Sequence, residues 1–241
     1  MIVQLLTHTP KPHEIVAAAA KLCYSDSTID EIMVGSTDTK ITLIEKVLSL
    51  GHFSVLEHVS FSFGIEGISR ACSHQLVRHR IASFSMQSQR YVAMKDDIPI
   101  GKPSCLTEYP ELSERYSCTI DTIKELYHDM LVAGVPAEDA RAILPNAAET
   151  KLVVTMNARE LQHFFNLRCC NRAQTEIRVM AKKMLLLCRD AAPLLFADSG
   201  PSCLRGACPE GKMCCGKIEE VREEYTKPKR VSAPECYRRS V

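Results

Sequence analysis

Arg78, His79 and Arg80, followed by Ser83, Ser85, Gln87, Ser88, Gln89, Arg90 and Tyr91, put three arginines, a histidine, three serines and two glutamines into fourteen residues. No acidic residue interrupts them. Arginine presents a planar fork of donors suited to phosphate and carboxylate oxygens, while serine and glutamine add neutral hydrogen bonds, so the set fits an anionic, polar ligand. A nucleotide is the leading candidate. The usual nucleotide fingerprints are missing: the ten glycines never form a G-x-G pair and no P-loop lysine motif occurs. That argues against a Rossmann oxidoreductase or a P-loop NTPase, and neither a zincin nor an EF-hand pattern is present.

The elements that must hold this cluster can be read from periodicity. Pro12 to Cys23 starts with proline and runs through alanines, a helix composition, and a second helix is expected over Ile41 to Leu50, stopped by Gly51. Phe53 to Ile65 alternates, with Val59, Phe61 and Phe63 opposite Ser60 and Ser62, as in a half-buried strand. Ser69 to Val77 reads as a helix leading into the cluster, with Gln75 and Arg78 on one face. If the chain is extended after Arg80, Ser88 and Arg90 share one side and Gln87 and Gln89 the other.

A long helix is expected from about Glu108 to Val132 with a stripe of Tyr116, Ile120, Ile123 and Leu126, broken by Gly134 and Pro136. Pro136 and Asp139 open a short helix carrying Arg141, and Leu152 to Met156 reads as a buried strand. Asn157 is placed to cap the next helix, with Glu160 three residues on in the manner of a capping box. On that helix Arg159, His163 and Asn166 share a polar face opposite Leu161, Phe164 and Phe165. A last helix is expected from Gln174 to Phe196. Strands and helices without regular βαβ alternation predict an α+β domain, with a central, mostly antiparallel sheet and flanking helices.

The 241 residues suffice for a full core, and 30 basic against 29 acidic side chains give a net charge of +1. No overall field draws such a chain onto nucleic acid or an anionic membrane, so anion binding must be local. The start lacks a basic segment ahead of an apolar run, and the reading is a soluble, cytoplasmic protein. Most of the twelve cysteines are then free thiols, and Cys23, Cys72, Cys118 and Cys188 are expected as small buried hydrophobes. Residues 1–199 read as one domain; 200–241 read as a Cys-rich loop and a charged C-terminal tail.

Arg78-His79-Arg80, then Ser83, Ser88 and Arg90-Tyr91, closely resemble the signature of the flavin-dependent thymidylate synthases: R-H-R, two residues, S, four residues, S, one residue, R. The resemblance extends upstream to Gly51-His52, Ser54, Glu57 and His58. Downstream it runs through Arg141, Asn157-Ala158-Arg159 and Phe165-Asn166-Leu167-Arg168 to Ala173-Gln174, covering roughly residues 1–196.

It implies a homotetramer with active sites shared among subunits and flavin adenine dinucleotide (FAD) held without a Rossmann fold. The implied reaction is reductive methylation of dUMP to dTMP, with 5,10-methylenetetrahydrofolate as one-carbon donor and NADPH as reductant. Carried over by position, dUMP is expected at Gln75, Leu76, Val77, Arg78, Met86, Gln87, Ser88, Gln89, Arg90 and Arg141. Arg168 matches the arginine that contacts the pyrimidine and favours its ionised form, the one catalytic assignment. FAD is expected at Ser54, Arg78, His79, Arg80, Met86, Asn157, Ala158, Arg159 and His163. The chain departs from many members at Ser85 and Met86, where asparagine and glutamate are common, and at His163 and Arg172, where asparagine and histidine are. These departures bear on individual flavin contacts and leave the phosphate and pyrimidine arginines intact.

Asn157 can serve as cap alone or as cap and ligand contact, and His163, His52 and His58 can be structural histidines. Cys203, Cys208, Cys214 and Cys215 are the candidate metal ligands of the tail. Their spacings of four and five intervening residues lie at or beyond short zinc spacings, so a redox pair or an inert reduced loop competes with a metal site. Two other functions compete: a nucleic-acid-binding protein resting on the cluster and on Lys227-Pro-Lys-Arg230, and a flavoprotein of the same fold acting on another substrate.

Overall fold

The computed structural model describes residues 1–34, 37–94 and 98–226. Along the chain run β1 (Ile2–His8), α1 (Pro12–Leu22), α2 (Ile29–Val34), α3 (Thr37–Ser49), β2 (Ser60–Ser69), α4 (Arg70–Leu76), β3 (Ala82–Met86), α5 (Pro110–Val132), α6 (Ala137–Ala140), β4 (Glu149–Asn157), α7 (Ala158–Arg168), α8 (Thr175–Ala191), α9 (Pro193–Phe196) and α10 (Ile218–Thr226). The class is α+β, as expected. The four strands form one sheet in the order β1-β2-β4-β3, with β3 antiparallel to β4 and Met86 opposite Leu152. Contacts divide the chain into two compact units, Met1–Thr7 with Ser62–Met156, and His8–Phe61 with the chain from Asn157 onward.

In the first unit the strands alternate. On β2 Phe63 and Ile65 are buried and Glu66 is exposed. On β4 Leu152, Val154 and Met156 are buried while Lys151 and Val153 are exposed, so β4 is half-buried and not the wholly buried strand its apolar run suggested. Beside the sheet, Ile98, Tyr127 and Ala140 form a small core with Ile100, Met130 and Leu144 against it. The Tyr127 hydroxyl accepts the Met94 N–H at 3.4 Å, which lets a phenol sit fully buried there. The stripe of α5 therefore passes through Ile120 and Tyr127, and Leu126 is 46% exposed.

In the second unit α3 ends in a Schellman motif: Gly51, at φ 78°, donates to the Leu48 carbonyl and His52 to that of Val47. The chain then forms a 3-10 turn over Phe53–His58, and the strand starts only at Ser60. The single strand expected from Phe53 is thus two elements, because the last turn of α3 directs the chain into another short-range turn before it extends. Phe61, Phe164, Phe165 and Phe196 pack edge to face with centroids 5.3–6.0 Å apart. All four are fully buried, and each such ring pair adds about 1 kcal/mol beyond its area burial.

α8 buries Ile177, Ala181, Met184, Leu185 and Cys188 as its periodicity predicts. It ends at Ala191, since Pro193 has no N–H to continue the ladder and begins the separate α9. Ile218–Thr226, within the stretch read from composition as charged tail, form α10 and bury Val221 and Tyr225. Cys72 and Cys188 are buried, whereas Cys23 and Cys118 are exposed. Among the described residues no helix is long and apolar enough to cross a membrane. Lys227-Pro-Lys-Arg230 lies outside the described residues.

Candidate functional site

α4 is the element that sets the arginine cluster. Ser69 caps it, its hydroxyl accepting the Cys72 N–H at 3.0 Å, and the Arg70 and Ala71 N–H groups donate to the Ala148 and Asn146 carbonyls, each at 3.0 Å. The exposed amides of the first turn are thereby satisfied by the approach to β4, and the helix is locked in place. At its other end Val77, Arg78 and His79 donate back to Ser73, Gln75 and Leu76 in a tight turn. This turn directs Arg78 and Arg80 into an open hollow shared with His74 and Val77. His79 is 4% exposed.

The strand β3 stops at Met86. Gln87 donates once more across to the Lys151 carbonyl, and the chain then turns, Val92 N–H reaching the Ser88 carbonyl at 3.1 Å. The period-two alternation expected for residues 87–90 is therefore not realised. Instead the Ser88 hydroxyl accepts the Arg90 backbone N–H at 3.1 Å, a local serine turn that competes with the ladder.

This turn collects charge. Arg90 Nε donates to Glu138 Oε2 at 3.1 Å, and Arg141 Nε to the Glu138 carbonyl at 3.0 Å. Arg141 lies in a 3-10 turn, Arg141–Ile143, just beyond α6, not within the helix expected to carry it. Arg70, absent from the residues singled out in the sequence, enters from the first turn of α4. Its Nη2 donates to Gln89 Oε1 at 3.1 Å and its Nη1 to Met86 Sδ at 3.1 Å. Burial, and then the neighbouring charge of Arg141, hold the Arg70 guanidinium below its ordinary pKa, although it remains a cation at any working pH. Gln89 is 9% exposed and its Nε2 is buried without a partner among the described residues. A buried donor left unpaired costs about 1–3 kcal/mol, so this donor, on the amide that Arg70 holds, suits an anionic acceptor. The signal that could have drawn attention to Arg70 is its place in the first turn of the helix that leads into the arginine cluster.

The second unit holds the other expected residues. Ser54 and Glu57 lie on the 3-10 turn Phe53–His58, and Asn157, Arg159 and His163 on α7. Asn157 Oδ1 accepts the Glu160 N–H at 2.8 Å, so the expected cap is present. The Ala158 N–H donates to the Val59 carbonyl at 2.8 Å, and Arg159 forms an ion pair with Glu57. These contacts bring the turn and the start of α7 together. Arg159 and His163 are exposed, whereas Ala158 is fully buried. Burial pushes the Glu160 carboxyl up, opposed by His163.

Arg168 is the last residue of α7 and lines a cavity of about 240 Å³ with Cys170, Arg172, Cys203 and Cys208. The loop that carries these last two is held down by Arg205, whose Nη2 donates to Asn166 Oδ1 at 2.7 Å. Arg222 holds it too, donating to the Cys203 and Gly206 carbonyls. Among the described residues no group of three or more histidine, cysteine or acidic side chains is arranged to hold a metal ion.

The expected dUMP residues other than Arg168 thus belong to the first unit, with Arg78, His79, Arg80 and Met86 of the flavin set. Ser54, Asn157, Ala158, Arg159, His163 and Arg168 belong to the second.

Residues 4–194 match the family model of the thymidylate synthase complementing protein. A flavin-dependent thymidylate synthase from Geobacter sulfurreducens is 54% identical over 227 residues, covering 93% of this chain and 98% of the relative. Its counterpart from Clostridium tetani is 45% identical, covering 92% and 96%, and that from Pyrococcus abyssi 42%, covering 93% and 96%. The match spans both units and takes in both groups of site residues, so the chain belongs to the flavin-dependent thymidylate synthase family, transferases that methylate dUMP to form dTMP.

Proposed function

We propose that the chain converts dUMP to dTMP with FAD, drawing its one-carbon unit from 5,10-methylenetetrahydrofolate and its electrons from NADPH, in the cytoplasm and as a homotetramer with shared active sites. The observation that carries this reading is the set of three arginines at this turn, Arg70 on the Gln89 carbonyl oxygen, Arg90 and Arg141 both on Glu138 with Arg141 acting on the charge of Arg70, beside a Gln89 Nε2 that has no partner among the described residues. A phosphate monoester supplies the acceptors and the negative charge that this arrangement requires.

In this reading Arg70, Arg90 and Arg141 neutralise the dUMP phosphate, the Gln89 amide donates to it, and the Ser88 turn sets their spacing. Among the described residues no base is hydrogen-bonded to Ser88, and its hydroxyl already accepts a backbone N–H, so it positions the nucleotide and is not a nucleophile. Gln75 and Arg78, at the other end of α4 and roughly 10 Å from Arg70 by helical rise, face a different part of the nucleotide or of the flavin. Leu76 and Val77 extend that end, and Gln87 and Met86 bring the strand end to the ligand. Arg168 stabilises the negative charge that the uracil ring must carry to become nucleophilic at C5, the electrostatic logic of an oxyanion hole.

The residues fit FAD. Arg78 and Arg80 offer exposed cations, Ser54, Asn157, Arg159 and His163 offer polar groups on one face of the second unit, and the buried His79 and Ala158 can contribute only main chain. When bound, FAD supplies the hydride chemistry, and the protein supplies orientation and electrostatics. Arg159 is already held by Glu57, which fixes its direction before a ligand arrives. Neither nucleic-acid binding nor another flavin substrate is favoured by a family match that spans the chain.

The test is tritium release from dUMP labelled at C5, with FAD, NADPH and methylenetetrahydrofolate each omitted in turn. Release that requires all three is the expected result. No release from a folded, FAD-binding protein would overturn the substrate assignment.

A further inference from the structure

The loop from Cys203 to Gly216 carries four thiols that the transfer chemistry does not use. Burial pushes the Cys169 thiol up to about 12 and raises that of Cys188, so these two core cysteines are inert. The loop cysteines are different. Cys208 and Cys214 are both part-exposed and flank the 3-10 turn Gly211–Met213, which folds the chain back between them. The turn, closed by the Met213 and Cys214 N–H groups on the Glu210 and Gly211 carbonyls, returns the chain so that the two thiols act on one another. Cys214 Sγ also accepts the Gly216 N–H at 3.4 Å. The neighbouring Cys215 faces another way, its sulfur 3.9 Å from Asn171 Nδ2. Of the adjacent pair, only Cys214 is matched to Cys208.

We propose that Cys208 and Cys214 form a site of reversible oxidative modification, closing to a disulfide when a peroxide is present. One thiolate attacks a peroxide oxygen and becomes a sulfenic acid as hydroxide leaves. The second thiolate attacks that sulfur, forming the S–S bond and expelling the second hydroxide. The dithiol loses two electrons and two protons, and hydrogen peroxide is reduced to two waters. A small dithiol reverses the step by exchange through a mixed disulfide. Because a reducing compartment keeps most thiols free, a disulfide that forms there is characteristically transient and redox-sensing.

Closure has a consequence for the neighbouring site. Cys208 lines the same cavity as Arg168, and bonding to Cys214 draws its sulfur, and this wall of the cavity, toward the Gly211–Met213 turn. Oxidation therefore alters access to Arg168, a step that rests on the role assigned above to that arginine.

The two parts separate experimentally. Trypsin cleaves after Lys212, which lies between Cys208 and Cys214. Full-length protein is treated with hydrogen peroxide, its remaining thiols are alkylated, and it is digested without reductant. The expected result is one species joining residues 206–212 to residues 213–217, split by a dithiol, retained in Cys215→Ser and missing in Cys214→Ser. Complete separation of the two peptides after peroxide, or a link that depends on Cys215 and survives Cys214→Ser, overturns the proposal. This readout is independent of thymidylate synthesis. Tritium release is then expected to fall on oxidation and recover on reduction in the parent chain, and to be insensitive to peroxide in Cys214→Ser. An unchanged rate in a fully linked parent chain would refute the coupling to Arg168.

Discussion

In the proposed reaction each arginine of the site carries a different share, and substitution tests the shares separately. Arg168→Ala removes a charge that matters most when the uracil ring becomes anionic, an electrostatic contribution of about 3–4 kcal/mol in comparable sites. Tritium release is expected to fall by roughly a hundredfold or more, with the absorbance of bound FAD unchanged. A full rate in this variant would show that the pyrimidine lies elsewhere. Arg70→Ala and Arg90→Ala act on the phosphate instead. A charge-assisted hydrogen bond is worth about 1.5–3 kcal/mol, so dUMP binding is expected to weaken about 10- to 100-fold, with little change in turnover at saturating dUMP. Arg90→Ala also leaves Glu138 without its ion pair, an acid then facing the phosphate, and is expected to be the worse of the two. Equilibrium dialysis against labelled dUMP checks both. Wild-type affinity in both variants would remove the phosphate from this turn.

The elements decide where those residues stand, and two positions test how. Asn157 caps α7 by accepting the Glu160 N–H. Asn157→Ala is expected to lower stability by about 1 kcal/mol, read as a shift of the urea midpoint, and Asn157→Asp to restore it. Loss of FAD binding in both variants would show a ligand contact beyond the cap. Gly200, at φ 153°, allows α10 to dock: an added Cβ would lie 2.6 Å from Leu204 and 3.0 Å from the Tyr225 ring. Gly200→Ala is expected to destabilise by about 1–3 kcal/mol. It should do so without changing the first unit, which amide exchange can localise.

The cap of α7, the stop at Gly51 and the stripe of α8 were legible in the sequence, because each depends on neighbours in the chain. Legibility failed where distant residues decide. Nothing near Arg70 signals that Gln89 and Met86 will meet it, and nothing in the charged run after Lys217 signals that Val221 and Tyr225 will be buried. The turn at Ser88 was missed because a hydroxyl can replace a ladder partner without disturbing the polar pattern.

At the scale of the whole molecule, the sheet of the first unit leaves one face open. Ile2 is 53% exposed and Leu6 51%, and both line a shallow depression with Gly64, Val92 and Val153, rimmed by the polar Gln4, Glu66, Ser85, Gln87 and Lys151. Exposed apolar side chains rimmed by polar ones mark interaction sites, and a second copy of the chain is the cover that the proposed homotetramer provides. A charge here separates assembly from folding. Leu6→Glu adds a carboxylate at an exposed position, where substitutions usually change stability by no more than about 0.5 kcal/mol. Buried between copies, the same carboxylate would be an unpaired charge costing several kcal/mol. The variant is expected to melt close to the parent chain yet elute as a smaller species with a lower mass by light scattering. Since the proposed active sites draw residues from more than one subunit, tritium release should fall together with the mass. A variant of unchanged mass would show that this face lies outside the assembly. A smaller but fully active species would show that each subunit completes its own site, and the shared-site reading would have to be withdrawn.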